Sequence, residues 1–152
     1  MYNTVKLVHS YWAYLVLLVL ILATLNALYK TFNGKEYKAK DFRIALFTLI
    51  VSHIQLLIGI VLYFVSPRFH LFSELGMGGI MKDSVSRLYL VEHPLINIIA
   101  VVLITIGYSK HKKKLTSQSK LKMIAIFYTI ALALFLSRIQ VESIFRFLLK
   151  QQ

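Results

Sequence analysis

The sequence predicts an all-α integral membrane protein, a four-helix bundle running up-down-up-down. Three observations predict it. Of 152 residues, 58% are apolar and only 16% charged, with mean hydropathy +0.68. A soluble domain is nearer half apolar and a quarter charged. The apolar residues fall into four runs, each close to the roughly 20 residues that a membrane-crossing helix needs. The positive charge sits in short clusters between those runs, the pattern that orients membrane proteins. The expected spans are 8–29, 43–66, 87–109 and 122–139, in one transmembrane domain covering 1–152.

The first span carries no charge between Lys6 and Lys30. It is too long for a signal-peptide core, and no small-residue cleavage site follows it. Tyr11, Trp12 and Tyr14 form an aromatic belt at its outer end. Asn33-Gly34 marks the turn after it. Asp41 can cap the second span, which stops at Pro67, where a helix tends to end. Asp83 or Ser84 can cap the third, which contains Glu92 and His93. The fourth is apolar to Ser137 and continues past Arg138. Over 139–149, Ile, Val, Phe and Leu alternate with Gln140, Glu142, Ser143 and Arg146. That spacing predicts an amphipathic extension bending onto the outer membrane surface. Short connections at 30–42 and 110–121 make neighbouring helices antiparallel. The connection 67–86, with Leu75-Gly-Met-Gly-Gly-Ile80, predicts a longer, mobile loop.

Orientation follows from basic residues. Segment 30–43 holds five Lys/Arg and segment 110–122 holds six, leaving seven for the rest of the chain. This places both tight loops in the cytoplasm of a bacterial plasma membrane and both termini outside. The net charge of +12 and pI near 10.0 would suggest nucleic acid in a soluble protein. Clusters flanking apolar runs point to topology instead, and no nucleic acid is expected. The Lys-rich 110–122 segment could also contact anionic lipid. Absence of cysteine excludes disulfides, iron–sulfur clusters, thiolate zinc sites, Cys nucleophiles and c-type haem attachment. No G-x-S-x-G, H-E-x-x-H or phosphate-binding glycine loop supports hydrolytic chemistry.

Ionisable residues within a bilayer are costly and are functional candidates by default. His9, His53 and His93 are such residues; His70 and His111 fall in connections and read as solvated. At 1.5 Å per residue from the inner boundary, His9 lies roughly 30 Å up, His93 about 25 Å and His53 about 15 Å. His9 and His93 are therefore expected near one level in the outer half, with His53 deeper. Two neutral imidazoles from different helices at one depth suit a b-type haem. A carboxylate di-iron site would want several inward Glu in Glu-x-x-His patterns, and only Glu92 lies in a span. The expected metal ligands are His9 and His93, with His53 either an alternative ligand or part of a quinone site. Asn97 and Ala100 share the His93 stripe, a polar and then a small residue, and the small one would leave room for a flat ligand or a close helix. Ser52 and Gln55 add polar atoms near His53. Arg68, Arg87 and Arg138 lie near the outer edge and could pair with haem propionates.

Each residue also has a plainer reading. His9 could be an interfacial anchor like Tyr11 and Trp12. His53 could be a hydrogen-bonded packing residue. Glu92 and His93 could form a buried ion or proton-relay pair. The arginines could contact lipid headgroups, and Asn97 could bond between helices.

The stretches His9-Ser-Tyr-Trp-Ala-Tyr-Leu-Val-Leu, His53-Ile-Gln-Leu-Leu-Ile-Gly-Ile-Val-Leu-Tyr-Phe-Val-Ser-Pro67 and Val91-Glu-His-Pro, with Leu103-Ile-Thr-Ile-Gly107, resemble a family of small four-helix bacterial membrane proteins labelled cytochrome b or cytochrome-b-like. The resemblance covers nearly the whole chain. It implies haem b and electron transfer, with His9, His53 and His93 as the positions concerned. The His53 segment also faintly resembles the transmembrane histidine helices of haem A synthase. That enzyme resembles two such bundles fused and uses outer-loop carboxylates; here only Glu74 and Asp83 lie in that loop, and the fourth span has no histidine.

The expected function is electron transfer by a membrane-embedded b-type haem, with the lipid bilayer and a quinone or respiratory-complex subunit as partners. Two rival classes stand beside it. One is a non-redox accessory or structural membrane subunit. The other is a small transporter or proton-relay protein using His53, Glu92 and His93, against which the absence of inverted repeats weighs.

Overall fold

A computed structural model describes residues 1–150, with the side chains of 138–148 and 150 outside the description. Every regular element among the described residues is helical. Helix α1 covers Tyr2–Phe32 and α2 covers Ala39–Val65. A short 3₁₀ turn at Pro67–His70 leads into α3 (Leu71–Lys82) and a single turn, α4 (Ser84–Arg87). A π turn at Leu88–Glu92 then feeds α5 (His93–Lys113), and α6 runs Ser117–Lys150. Four stretches are long and apolar enough to cross a membrane: Tyr2–Phe32, Ala39–Val65, Ser84–Lys113 and Ser117–Ser137.

The helices outrun the expected spans because the flanking Lys- and Ser-containing turns remain helical after the apolar run stops. The connection 67–86 is a correction to the expected mobile loop. Ser66 accepts from the Arg68 amide, Pro67 opens the 3₁₀ turn, and helix continues on both sides of a break at Gly76. Gly76 has φ 67° and ψ 172°, a conformation essentially reserved for glycine. Asp83 caps α4 as expected, accepting from the Ser86 amide at 3.3 Å and its hydroxyl at 2.6 Å. Those bonds, the Ser86 hydroxyl first, hold its carboxyl below the usual range. The expected amphipathic segment 139–149 and the side chain of Arg138 lie outside the described residues.

Packing follows helical stripes of small and branched residues. Val16, Val19, Leu20, Ala23 and Ala27 face inward from α1; Ala100, Val101, Ile104 and Tyr108 from α5; Ile124, Ala125, Tyr128, Ala131 and Phe135 from α6. Small residues let helices approach closely where lipid supplies no hydrophobic drive for association. Helix α1 lies against α2 and α6, and α5 lies against α6 and α2. Thus α1 and α5 are diagonal partners, as are α2 and α6. The α2–α5 seam is the loosest of the four and α5–α6 the tightest. Buried Tyr128 crosses the bundle on the second diagonal, donating to the Ala45 carbonyl at 2.9 Å.

Gly107 sets the α5–α6 approach. A Cβ there would fall 2.5 Å from Phe127 Cβ and 3.1 Å from its Cγ. Phe127 cannot yield its Cβ without moving the α6 backbone. Gly107→Ala is therefore expected to destabilise the bundle by about 1–3 kcal/mol, as overpacking does. Thermal unfolding in detergent measures this, and an unchanged midpoint would contradict the close approach.

Candidate functional site

The site begins with Pro94. Proline has no N–H to give the carbonyl one turn earlier. That carbonyl, on Leu90, instead accepts from the Tyr63 hydroxyl of α2 at 2.9 Å. The backbone widens here into the π turn, with the His93 amide bonded to the Leu88 carbonyl. Such π turns are frequent at functional sites. His93 is the first residue after it.

His9 comes from the diagonal helix. Its ring centroid lies 6.2 Å from that of His93, with an interplanar angle of 69°. Both rings are half-buried, and both Nδ1 atoms are buried. Helix α2 forms the floor beneath His9. Gln55 Nε2 donates to the His9 carbonyl at 2.9 Å, and Trp12 Nε1 donates to the Val51 carbonyl at 2.8 Å. Gly59 lets the imidazole approach the α2 backbone: a methyl there would already stand 3.4 Å from His9 Cε1.

The separation has a chemical meaning. An imidazole nitrogen stands about 2.0–2.1 Å from a bound first-row metal ion, so two imidazoles facing one ion from opposite sides hold their centroids about 6 Å apart. No group of three or more His, Cys, Asp or Glu that could hold a metal ion exists among the described residues. A simple ion would want more protein ligands than two. An iron porphyrin brings four nitrogens of its own and needs only an axial pair. The 6.2 Å spacing of two imidazoles beside Gly59 matches that of such an axial pair in distance.

The other expected residues distribute around this pair. Asn97 is half-buried one turn inward from His93, and Ala100 is fully buried. Arg87 is engaged by protein groups: Nε donates to Glu92 Oε1 at 3.1 Å and Nη1 to the Met81 carbonyl at 2.9 Å. Glu92 thus pairs with Arg87. The Arg68 guanidinium lies 4.1 Å above the Tyr89 ring. His53 stands apart. It is exposed on the bundle surface, with Nδ1 2.8 Å from the Leu49 carbonyl and Nε2 3.4 Å from Thr105 Oγ1. Thr105 is twelve residues from His93, roughly 18 Å along α5. Ser52, next to His53 in sequence, is fully buried, so the two point to different environments.

The opposite end of the bundle holds a second polar cluster. His111 is fully buried, which corrects its reading as a solvated loop residue. Its Nδ1 lies 2.6 Å from the Tyr108 carbonyl and its Nε2 2.9 Å from the Tyr37 hydroxyl. A carbonyl only accepts, so Nδ1 carries the proton and Tyr37 donates to Nε2. Burial, then the charge of Asp41 and the neighbouring Tyr108, push the Tyr37 phenol up to about 12. The signal was present in the sequence. His111 continues the buried stripe Ala100, Ile104, Gly107 at helical spacing, although lysines surround it. Beside it, Asp41 accepts from Lys30 Nζ, Asn26 Nδ2 and the Lys38 amide, each at 2.7 Å. The cluster is fully engaged in tying α1, α2 and α5 together.

Fold and geometry define a helical bundle of membrane-crossing length with an imidazole pair across one diagonal. Comparison with known protein families, curated proteins and solved structures finds no match.

Proposed function

We propose that this chain is an integral membrane b-type cytochrome, transferring electrons to or from a quinone or a respiratory membrane subunit. The carrying observation is the meeting of His9 and His93, from diagonal helices, at 6.2 Å. A bound haem supplies a one-electron iron couple. His9 and His93 would hold it through their imidazoles. Gln55 fixes the α1 backbone at His9, and the π turn with Pro94 sets the start of the helix that presents His93. Both ligands are neutral donors, so haem iron would retain a net charge, which propionates on the macrocycle offset.

The Lys-rich connections support the cytoplasmic placement of that end, in a bacterial plasma membrane. They adjoin one another: Lys120, at the start of α6, lies 5.2 Å from the ring of Tyr37, in the connection between α1 and α2. The haem pair, at the other end of the bundle, then lies toward the outer leaflet, with both termini outside.

The test is optical. Protein purified from haem-replete cells is expected to show a Soret band, a reducible b-type α band and a pyridine hemochrome of haem b. A colourless preparation that added haemin does not restore would overturn the proposal.

A further inference from the structure

His53 poses a problem that the haem pair does not solve. Intramembrane ionisable residues almost always face the bundle interior or a cavity. His53 is instead exposed, at the loosest seam of the bundle, between α2 and α5. It lies ten residues from Arg43, roughly 15 Å along the helix and near the bilayer midplane. Its surroundings one turn away are apolar and exposed, including Leu57 on α2 and Val102 on α5.

The hydrogen bonds decide what this imidazole can do. The Leu49 carbonyl, 2.8 Å from Nδ1, can only accept, so Nδ1 carries the proton of the neutral ring. Nε2 is then an acceptor. The nearest donor is the Thr105 hydroxyl at 3.4 Å, a long contact. That hydroxyl has one proton, and the Val101 carbonyl takes it at 2.8 Å. The pair therefore presents acceptor lone pairs, on Nε2 and on Thr105 Oγ1, toward hydrocarbon. A group that satisfies them must donate a hydrogen bond and must dissolve at mid-bilayer depth. Phospholipid headgroups do not reach that depth, and a quinone offers only acceptors. A hydroquinone offers hydroxyl protons on an apolar molecule.

We infer that the lipid-facing His53–Thr105 pair binds a hydroxyl of a membrane-dissolved hydroquinone. The choice of a hydroquinone among hydroxyl donors rests on the electron-transfer reading above; the acceptor geometry does not. The site is separate from His9 and His93, and its occupation does not require haem.

The experiment uses the full chain in lipid nanodiscs, with ¹⁵N-labelled histidine and a short-tailed hydroquinone as probe. Saturable binding is expected, with the His53 Nε2 resonance shifting on titration. The corresponding dimethyl ether, which has no donor, is expected to leave that resonance unmoved. His53→Leu is expected to weaken binding about tenfold or more, and Thr105→Val less, the scale of a lost hydrogen bond in a dry site. Equal binding of the ether, or unchanged binding by His53→Leu, would overturn the inference. So would cross-linking that places His53 against a second copy of the chain. The Soret band of the same samples is read in parallel, so loss of the haem reading and loss of the hydroquinone site are distinguished.

Discussion

His9→Ala and His93→Ala are each expected to abolish stable haem binding, whereas His53→Ala keeps the Soret band. The two ring centroids lie 6.2 Å apart across the α1–α5 diagonal at an interplanar angle of 69°, while His53 lies on the bundle surface against Leu49 and Thr105. Even the hydrogen-bonding partners of metal ligands typically change affinity 10–100-fold, so loss of a ligand itself should exceed about 100-fold. Neither substitution removes a residue from the main core, which lies further inward along the bundle. Both variants should keep their helical circular dichroism, which separates a lost ligand from a lost fold. Haem titration followed by absorbance, with pyridine hemochrome quantification, measures the effect. Bleaching by His53→Ala with retention in His9→Ala would assign the axial positions differently.

The fold was legible because hydropathy alone dictates it. A run of apolar residues near Val16 or Val51 has no alternative to a membrane-length helix or a dry core. The meeting of His9 and His93 was legible for a related reason: rise per residue fixes depth once the charged ends of a span are known. Angle was less legible. Depth arithmetic set His53 apart from His9 and His93 along the bundle axis but could not say that it faces outward, because the α2 sequence is apolar almost all round. His111 was misread because four lysines within three residues of it suggest solvent. The Ala100–Ile104–Gly107 stripe nevertheless carries its face inward, and Lys110 and Lys112 point away from it. The helical outer connection was hidden by its glycines, since only Gly76 breaks the helix while Gly78 and Gly79 are accommodated within it. The engagement of Arg87 by Glu92 depends on the π turn, which hydropathy does not register.

Asp41→Ala is expected to produce the largest loss of stability in the molecule, about 3 kcal/mol or more. Asp41 is 2% exposed, and its carboxylate accepts from an ammonium, an amide side chain and a backbone amide. Two effects add. Removing one member of a buried pair leaves the other charge uncompensated, at a cost of about 3–5 kcal/mol. Losing the carboxylate that satisfies the Lys38 amide at the start of α2 costs about 1 kcal/mol more. Lys30 moderates the first effect: its side chain is 17% exposed and its long stem can carry the ammonium outward to water. The expected value is therefore toward the lower end of the combined range. A second variant tests whether the ion pair itself or only its symmetry matters. Lys30→Met with Asp41→Leu removes both charges and keeps apolar volume, and such replacements are often near neutral. The double variant should recover most of what Asp41→Ala loses, apart from the cap. Equilibrium unfolding in detergent compares the three proteins. If the double variant is as unstable as Asp41→Ala, the cap and the Asn26 bond rather than the uncompensated lysine dominate. Because Asp41, Tyr37 and His111 join α1, α2 and α5 at the end opposite His9 and His93, the Soret band expected on the proposed function should be unchanged in any folded fraction.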